Sequence, residues 1–288
     1  MKTLKVMLIG LFLSTIVNAG EILTLATGSK SGIYTKSGVI FAKTAYKTGL
    51  KVRVINSQGS VHNISLVKYG HKKYGKVELI IANPSVYDKF KSKVKLEKVG
   101  PLHTEYVHIV CNNNSGVNSI HDLESGEKIL AVGFPGSDNK IIFENWQKED
   151  SGYEATTTAN IGGKYALEAL LEGSVDCSMF TAGLGSKTML EIDKQSTNLH
   201  IITIDDGDFN DYKDSNGKHP YFFADIPKNT YKNLQAGALW GSKPIETIAM
   251  QSVLYMNADL PEDVKKQIKT AYKLSIKKIQ KKYGYVEK

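Results

Sequence analysis

The strongest constraint on this chain is a repeated alternation of short apolar runs with helix-period segments. The pattern pauses once and then restarts. Residues 22–26 form an apolar run. Apolar Val39, Ile40, Ala42, Ala45 and Tyr46 then recur at helical spacing across 37–47. Residues 52–55 read as a strand, Ser60 opens a helix carrying Val61, Ile64 and Val67, and 77–82 is a continuous apolar strand with Pro84 starting a short helix. After an apolar run at 106–111, the polar stretch 112–116 marks a boundary. The alternation resumes with strands at 129–132, 153–158, 175–180 and 199–204 and helices at 138–147, 164–171 and 186–192. Residues 205–218 are acidic and rich in Gly and Asn, which predicts a surface loop. A last helix runs from Pro261 to about residue 283.

Strands that alternate with helices favour parallel pairing. The expected architecture is α/β with two lobes, mostly parallel sheets flanked by helices, and a cleft between the lobes. Lobe one is expected to be discontinuous, 20–111 and 205–288, with lobe two at 112–204 and hinges near Asn112 and Asp205. Ligands of open α/β sheets bind at the carboxyl ends of strands, where helix N-termini point.

Residues 1–19 are set aside from the fold. Lys2 and Lys5 precede an apolar run at 6–17, and Val17-Asn18-Ala19 provides a signal-peptidase site. The run is shorter than the ~20 apolar residues of a membrane span. The mature chain is therefore expected in the periplasm, without stable membrane insertion. No cysteine lies near the cut, so there is no lipid-anchor motif.

Charge argues against nucleic acid. The formal net charge is +8, and cleavage removes Lys2 and Lys5. The remaining excess is almost entirely lysine, and Arg53 is the only arginine, whereas phosphate- and base-reading surfaces rely on arginine forks. Cys111 and Cys177 both lie in apolar runs and are expected to pack as free thiols. Export leaves a disulfide between them open.

Four strand-to-helix junctions share one chemistry. They are Thr27-Gly28-Ser29-Lys30-Ser31-Gly32, Gln58-Gly59-Ser60, Pro135-Gly136-Ser137 and Thr181-Ala182-Gly183-Leu184-Gly185. Each sets glycine beside a hydroxyl at a helix start, where backbone N–H groups can approach a ligand. Any one of them alone would be an ordinary helix cap; four at strand ends in both lobes point to a site. The first lacks Walker A spacing, and neither G-x-S-x-G nor H-E-x-x-H occurs. The seven histidines are scattered, so neither metal nor cofactor is expected, and no enzymatic constellation is evident.

At these junctions the chain resembles the TAXI family, the TRAP-associated extracytoplasmic immunogenic proteins. Thr27-Gly28-x-x-x-Gly32-x-Tyr34, Gly59-Ser60-Val61-x-Asn63 and Val132-Gly133-x-Pro135-Gly136-Ser137 follow the family's motifs in order. Ile226-Pro227-x-x-Thr230-Tyr231 and Ala258-Asp259-Leu260-Pro261-Glu262-Asp263 do so late in the chain. Two junctions depart from the pattern, Ala82-Asn83-Pro84 and Gly183-Leu184-Gly185. The resemblance implies a type II periplasmic-binding-protein fold. It further implies capture of glutamate, glutamine or a related dicarboxylate by hinge closure, with delivery to the membrane permease of a TRAP transporter. An ABC-importer binding protein for a thiamine precursor, sulfonate or oxyanion, and a periplasmic sensor subunit, are the alternatives.

The expected ligand contacts are as follows. Ser29, Ser60 and Ser137 act as hydroxyl donors, and Gly28, Gly32, Gly59 and Gly136 allow close backbone approach. Tyr34 forms a wall or donates its phenol, with core packing the alternative. Asn63 and Asn83 read polar groups. Pro135, Phe180, Thr181 and Gly183 face the cleft from lobe two, although Phe180 also suits the core. Lys30 is a better cation candidate than Arg53, whose strand turns it toward a sheet face.

Overall fold

The computed structural model describes residues 22–235 and 242–287. The proposed signal segment 1–19 lies outside these residues. In chain order the elements begin with β1 (Leu23–Ala26), α1 (Ile33–Lys47), β2 (Val52–Ile55), α2 (Ser60–Tyr69), β3 (Leu79–Ala82) and α3 (Pro84–Phe90). Next come β4 (Leu96–Asn112), β5 (Ile129–Ala131), α4 (Asp138–Glu149), β6 (Thr157–Ala159), α5 (Lys164–Glu172), β7 (Cys177–Ala182) and α6 (Lys187–Gln195). The chain closes with β8 (Leu199–Ile201), β9 (Tyr221–Ile226), β10 (Ile245–Asn257) and α7 (Glu262–Tyr283).

These strands join one ten-stranded sheet in the order β2-β1-β3-β10-β4-β7-β5-β6, with β8 against β4 and β9 against β10. Pairing is parallel within β2-β1-β3 and within β7-β5-β6, as the strand–helix alternation requires. The long strands β4 and β10 pair antiparallel to each other and to β3, β7, β8 and β9, so the whole sheet is mixed. The reason is topological: these two strands carry the chain out of one lobe and back into it.

Each long strand serves both lobes. The first part of β4 pairs with the end of β10, as in Gly100 with Leu254, whereas 106–111 of β4 pair with β7. The first part of β10, at 245–250, pairs instead with β9. The register between β10 and β4 shifts between Gln251 and Val253, a bulge that bends the ladder where the strands pass between lobes.

Burial explains the local choices. β1 and β3 are buried along their whole length, which matches their unbroken apolar runs. α1 buries Ile33, Tyr34, Ser37, Phe41 and Ala45 on one stripe. Its stripe packs with Leu25, Ile81, Leu254 and, from α7, Ile268 and Ala271. The other face of this lobe's sheet is covered by Ile64 and Leu66 of α2 and Val86 of α3. α7 has Glu262 and Asp263 in its first turn and Lys281 and Lys282 in its last, which complements its dipole. Lobe two is sealed by Trp146, Phe143, Leu130 and Ile248 on one side and by Leu170, Ile192 and Phe180 on the other. Each such fully buried side chain contributes about 1.5–3 kcal/mol of apolar burial.

Cys111 and Cys177 are directly opposed in the β4–β7 register, with Cα atoms 4.0 Å apart, and form a disulfide. This corrects the expectation of free thiols. Both residues are fully buried, as apolar packing would have them, but the register brings them side by side.

Among the described residues, no helix is long and apolar enough to cross a membrane.

Candidate ligand-binding cleft

The carboxyl ends of the parallel strands in both lobes face one cavity of about 280 Å³. Lobe one contributes Gly28, Ser29, Gly32, Ile33 and Tyr34 from the β1–α1 junction and Gln58 and Gly59 ahead of α2. Glu105 reaches it from β4. Lobe two contributes Ser137, Asp138 and Asn139 at the start of α4, Thr181, Ala182 and Gly183 at the end of β7, and Ser186 and Thr188 at the start of α6. A larger groove of about 900 Å³ lies at the opposite, amino-terminal strand ends, beside Leu23 and Glu78. Parallel α/β sheets direct helix starts and loop N–H groups to the carboxyl ends, which favours the smaller cavity as the site.

Of the residues expected from sequence, Gly28, Ser29, Gly32, Tyr34, Gly59, Ser137, Thr181 and Gly183 meet at this cavity. Three others stand behind its wall. The Asn63 amide donates to the Thr27 carbonyl at 2.6 Å and the Ile81 carbonyl at 2.8 Å, tying the ends of β1 and β3 together. Asn83 caps α3, accepting from the Ser85 N–H at 3.0 Å, and its own N–H donates to the Ser60 hydroxyl at 3.0 Å. Ser60 is fully buried and donates in turn to the Asp138 carboxylate of lobe two. Pro135 and Gly136 are exposed on the turn before α4 and do not line the cavity. Phe180 is in the lobe-two core. Lys30 is exposed, and Arg53 stacks over the Tyr74 ring, 4.7 Å from its centroid.

The lobes touch around this cavity, so the conformation is closed. Besides Ser60–Asp138, Lys89 of α3 pairs with Glu144 of α4 at 2.6 Å, and Ile141 of α4 packs into the lobe-one cluster with Ile64 and Val253. Gly183 lies close against the other lobe: a Cβ there would lie 2.5 Å from Ile33 Cδ1, so that side chain would have to move. Gly59 supplies the positive φ of 107° that turns the chain into α2 and keeps its N-terminus open to Asp138.

The lining residues that sequence reading passed over are the acids Glu105 and Asp138 and the amide Asn139, together with Ile33, Ser186 and Thr188. Glu105 is only 7% exposed, and its carboxylate accepts from the Tyr34 hydroxyl at 2.8 Å. Burial raises the pKa of Glu105 to about 8; the Tyr34 hydrogen bond opposes the rise and the charge of Asp138 adds to it. Burial, and then Glu105, raise the Tyr34 phenol above its ordinary range, so it stays a donor. Burial also raises Asp138, while the Ser60 hydroxyl and the backbone N–H groups of Ser60 and Val61 pull it down. Asn139 donates to the Met179 carbonyl at 2.7 Å. One sequence signal was available for Glu105: it is a lone carboxylate directly ahead of the apolar run 106–111. Asp138 follows the Ser137 cap and reads as an ordinary first-turn acid until the lobes are brought together.

Away from the cleft, His121, Glu124 and Asp206 approach one another, as do Asp150, Asp206 and Asp208. Their atoms are engaged internally: His121 with Glu124 at 2.6 Å, and Asp206 with the Tyr153 hydroxyl and the Asp208 N–H.

A mixed sheet in two lobes, crossed by two long strands and holding a cleft at its strand ends, is the fold of two-lobed solute-binding proteins. The same fold occurs in the binding protein of an ABC phosphonate transporter of Pseudomonas aeruginosa. That structure has a TM-score of 0.51 and 12% identity, covering 92% of this chain and 79% of that one. An ABC uptake substrate-binding protein of Streptococcus pneumoniae with bound histidine matches with a TM-score of 0.53 and 13% identity, covering 91% and 92%. A Xanthomonas citri protein bound to ATP has a TM-score of 0.56 and 9% identity, covering 92% and 89%. Residues 25–283 match the model of the NMT1-like family, and the chain belongs to that family.

Proposed function

We propose that this protein is a periplasmic solute receptor that closes its two lobes around a small polar ligand and presents it to a membrane permease. The observation that carries this reading is the cavity itself. Both lobes line it, helix starts converge on it, and the lobes are bridged beside it by Ser60 and Asp138. A ligand that contacts both lobes favours the closed form because only that form makes both sets of contacts. The crossing strands supply the hinge, at about 104–106 in β4 and 249–252 in β10, in place of the loops near Asn112 and Asp205. Strand bending at the β10 bulge absorbs the rotation without breaking either lobe's core.

No serine lining the cavity is hydrogen-bonded to a histidine among the described residues, and capture rather than catalysis is the role the lining suits. The junction motifs of the TAXI resemblance support a TRAP-type permease as the recipient. The likeness to phosphonate and amino-acid binding proteins of ABC transporters supports an ATP-driven importer as the second reading. Export through cleavage after residue 19 completes the proposal.

Two measurements test it. Thermal-shift screening against amino acids, dicarboxylates, sulfonates and thiamine precursors should find a stabilising solute, and X-ray scattering should show compaction with that solute. Co-purification of tagged protein with its membrane partner decides between a permease with and without an ATPase. A protein that no solute stabilises or compacts is not a receptor.

A further inference from the structure

The charge of the cavity lining is one-sided. Glu105 and Asp138 both face it, and among the described residues no lysine, arginine or histidine does. Glu105 is more than nine-tenths buried, yet only its Oε2 is engaged, by the neutral Tyr34 hydroxyl. Its Oε1 has no hydrogen-bond partner among the described residues, and the residue lines the cavity. A buried carboxylate with a vacant oxygen is costly unless a donor or a positive charge meets it. For an anion the described lining offers neutral donors alone: the hydroxyls of Ser29, Ser186 and Thr188, the buried and unpartnered hydroxyl of Thr181, the Gln58 amide, and the N–H groups at helix starts. At α2 those of Ser60 and Val61 are already turned to the Asp138 carboxylate, while α1 begins without a side-chain cap.

On the receptor reading above, we propose that the cleft selects a small molecule with a protonated nitrogen, which sits against Glu105, and rejects dicarboxylates that lack one. A carboxylate on the same molecule would meet the uncapped start of α1, so an amino-acid-like zwitterion or a short cationic amine fits. A dicarboxylate would place a second negative charge beside Glu105 and Asp138 with no cation to receive it. Burial raises the pKa of Glu105 because no positive charge in the lining offsets its desolvation, and an arriving cation favours the ionised form that pairs with it. The titratable neighbours are Tyr34 from α1, Asp138 from α4 and His103 two positions earlier on β4, which burial keeps neutral.

The test uses a five-carbon series that varies only the end groups: glutarate, 5-aminopentanoate and 1,5-diaminopentane, with glutamate, histidine and arginine alongside. Thermal shift and calorimetry on the purified protein are expected to show stabilisation by nitrogen-bearing probes and none by glutarate. Glu105→Gln is expected to weaken the binding of those probes on the order of tenfold or more, because it removes the charge they pair with. If that variant does not fold, the comparison of glutarate with 5-aminopentanoate on the unmodified protein decides by itself. Stabilisation by glutarate equal to that by 5-aminopentanoate overturns the inference and leaves the receptor standing. Absence of stabilisation by every probe, with no compaction in scattering, removes the receptor reading and this inference together.

Discussion

The Ser60 hydroxyl at the start of α2 donates to the Asp138 carboxylate at the start of α4, joining the two lobes across the edge of the ligand cavity. The two residues are 78 positions apart in sequence, so the bond forms only when the lobes meet. A hydrogen bond to a charged group contributes about 1.5–3 kcal/mol. Ser60→Ala should therefore shift the ligand-free protein toward the open form. Scattering should show a larger radius of gyration for the variant without ligand, and the same radius as wild type once a ligand closes it.

Gly183 and Ile33 oppose each other at the lobe contact. With a Cβ at 183 only 2.5 Å from Ile33 Cδ1, Gly183→Leu should prop the cleft open. Position 183 directly follows β7 and is buried, with a Cβ there also 3.5 Å from the Thr104 carbonyl, so the melting temperature without ligand is recorded for the variant as its own reference. The ligand-induced rise in that temperature should be lost. A normal rise in the variant would show that closure does not bring 183 and 33 together.

Glu105 gives the stability a pH dependence of definite sign. Its pKa is about 8 in the folded chain and 4.5 as a free side chain, so the native state binds the extra proton in between. Stability from this residue is complete below pH 4.5 and is lost as pH rises through 8. Burial raises Asp138 too, and it acts in the same direction. His103 and His108, held near 3 and 4 by burial, act oppositely below 6.5. The Glu105 share is therefore read as the difference between wild type and Glu105→Gln. Wild type should lose melting temperature relative to Glu105→Gln as the pH rises from 4.5 to 8.

The Cys111–Cys177 disulfide closes a loop of 66 residues in lobe two. By the chain-entropy relation, such a crosslink stabilises the fold by about 4 kcal/mol. Urea unfolding of the Cys111→Ser, Cys177→Ser double variant should show a loss approaching that amount. The same measurement on wild type in strong reductant should reproduce it, because both change the same unfolded-state constraint.

Much of the site was legible in residues 22–204. Glycine beside a hydroxyl at the end of an apolar run marked the junctions at 28–34, 59–60, 137 and 181–183, and the structure brings lining residues from all of them to one cavity. These signals are local: a strand that ends and a helix that begins leave N–H groups pointing outward wherever they occur. Strands β9 and β10 and the first half of β4 were not legible. Glu97, Lys98 and Pro101 interrupt the apolar pattern of β4, and the bulge after Gln251 interrupts the register of β10.

What the sequence determined by itself was the α/β alternation, the helix starts and the continuous apolar strands β1 and β3, because each depends on neighbours within a few residues. The tertiary structure alone decided that Cys111 faces Cys177, that Asp138 reaches Ser60, and that Glu105 is buried against Tyr34 at the cleft. These pairs are 66 to 78 residues apart, and their meeting depends on strand register and on the angle between lobes, which no local pattern encodes.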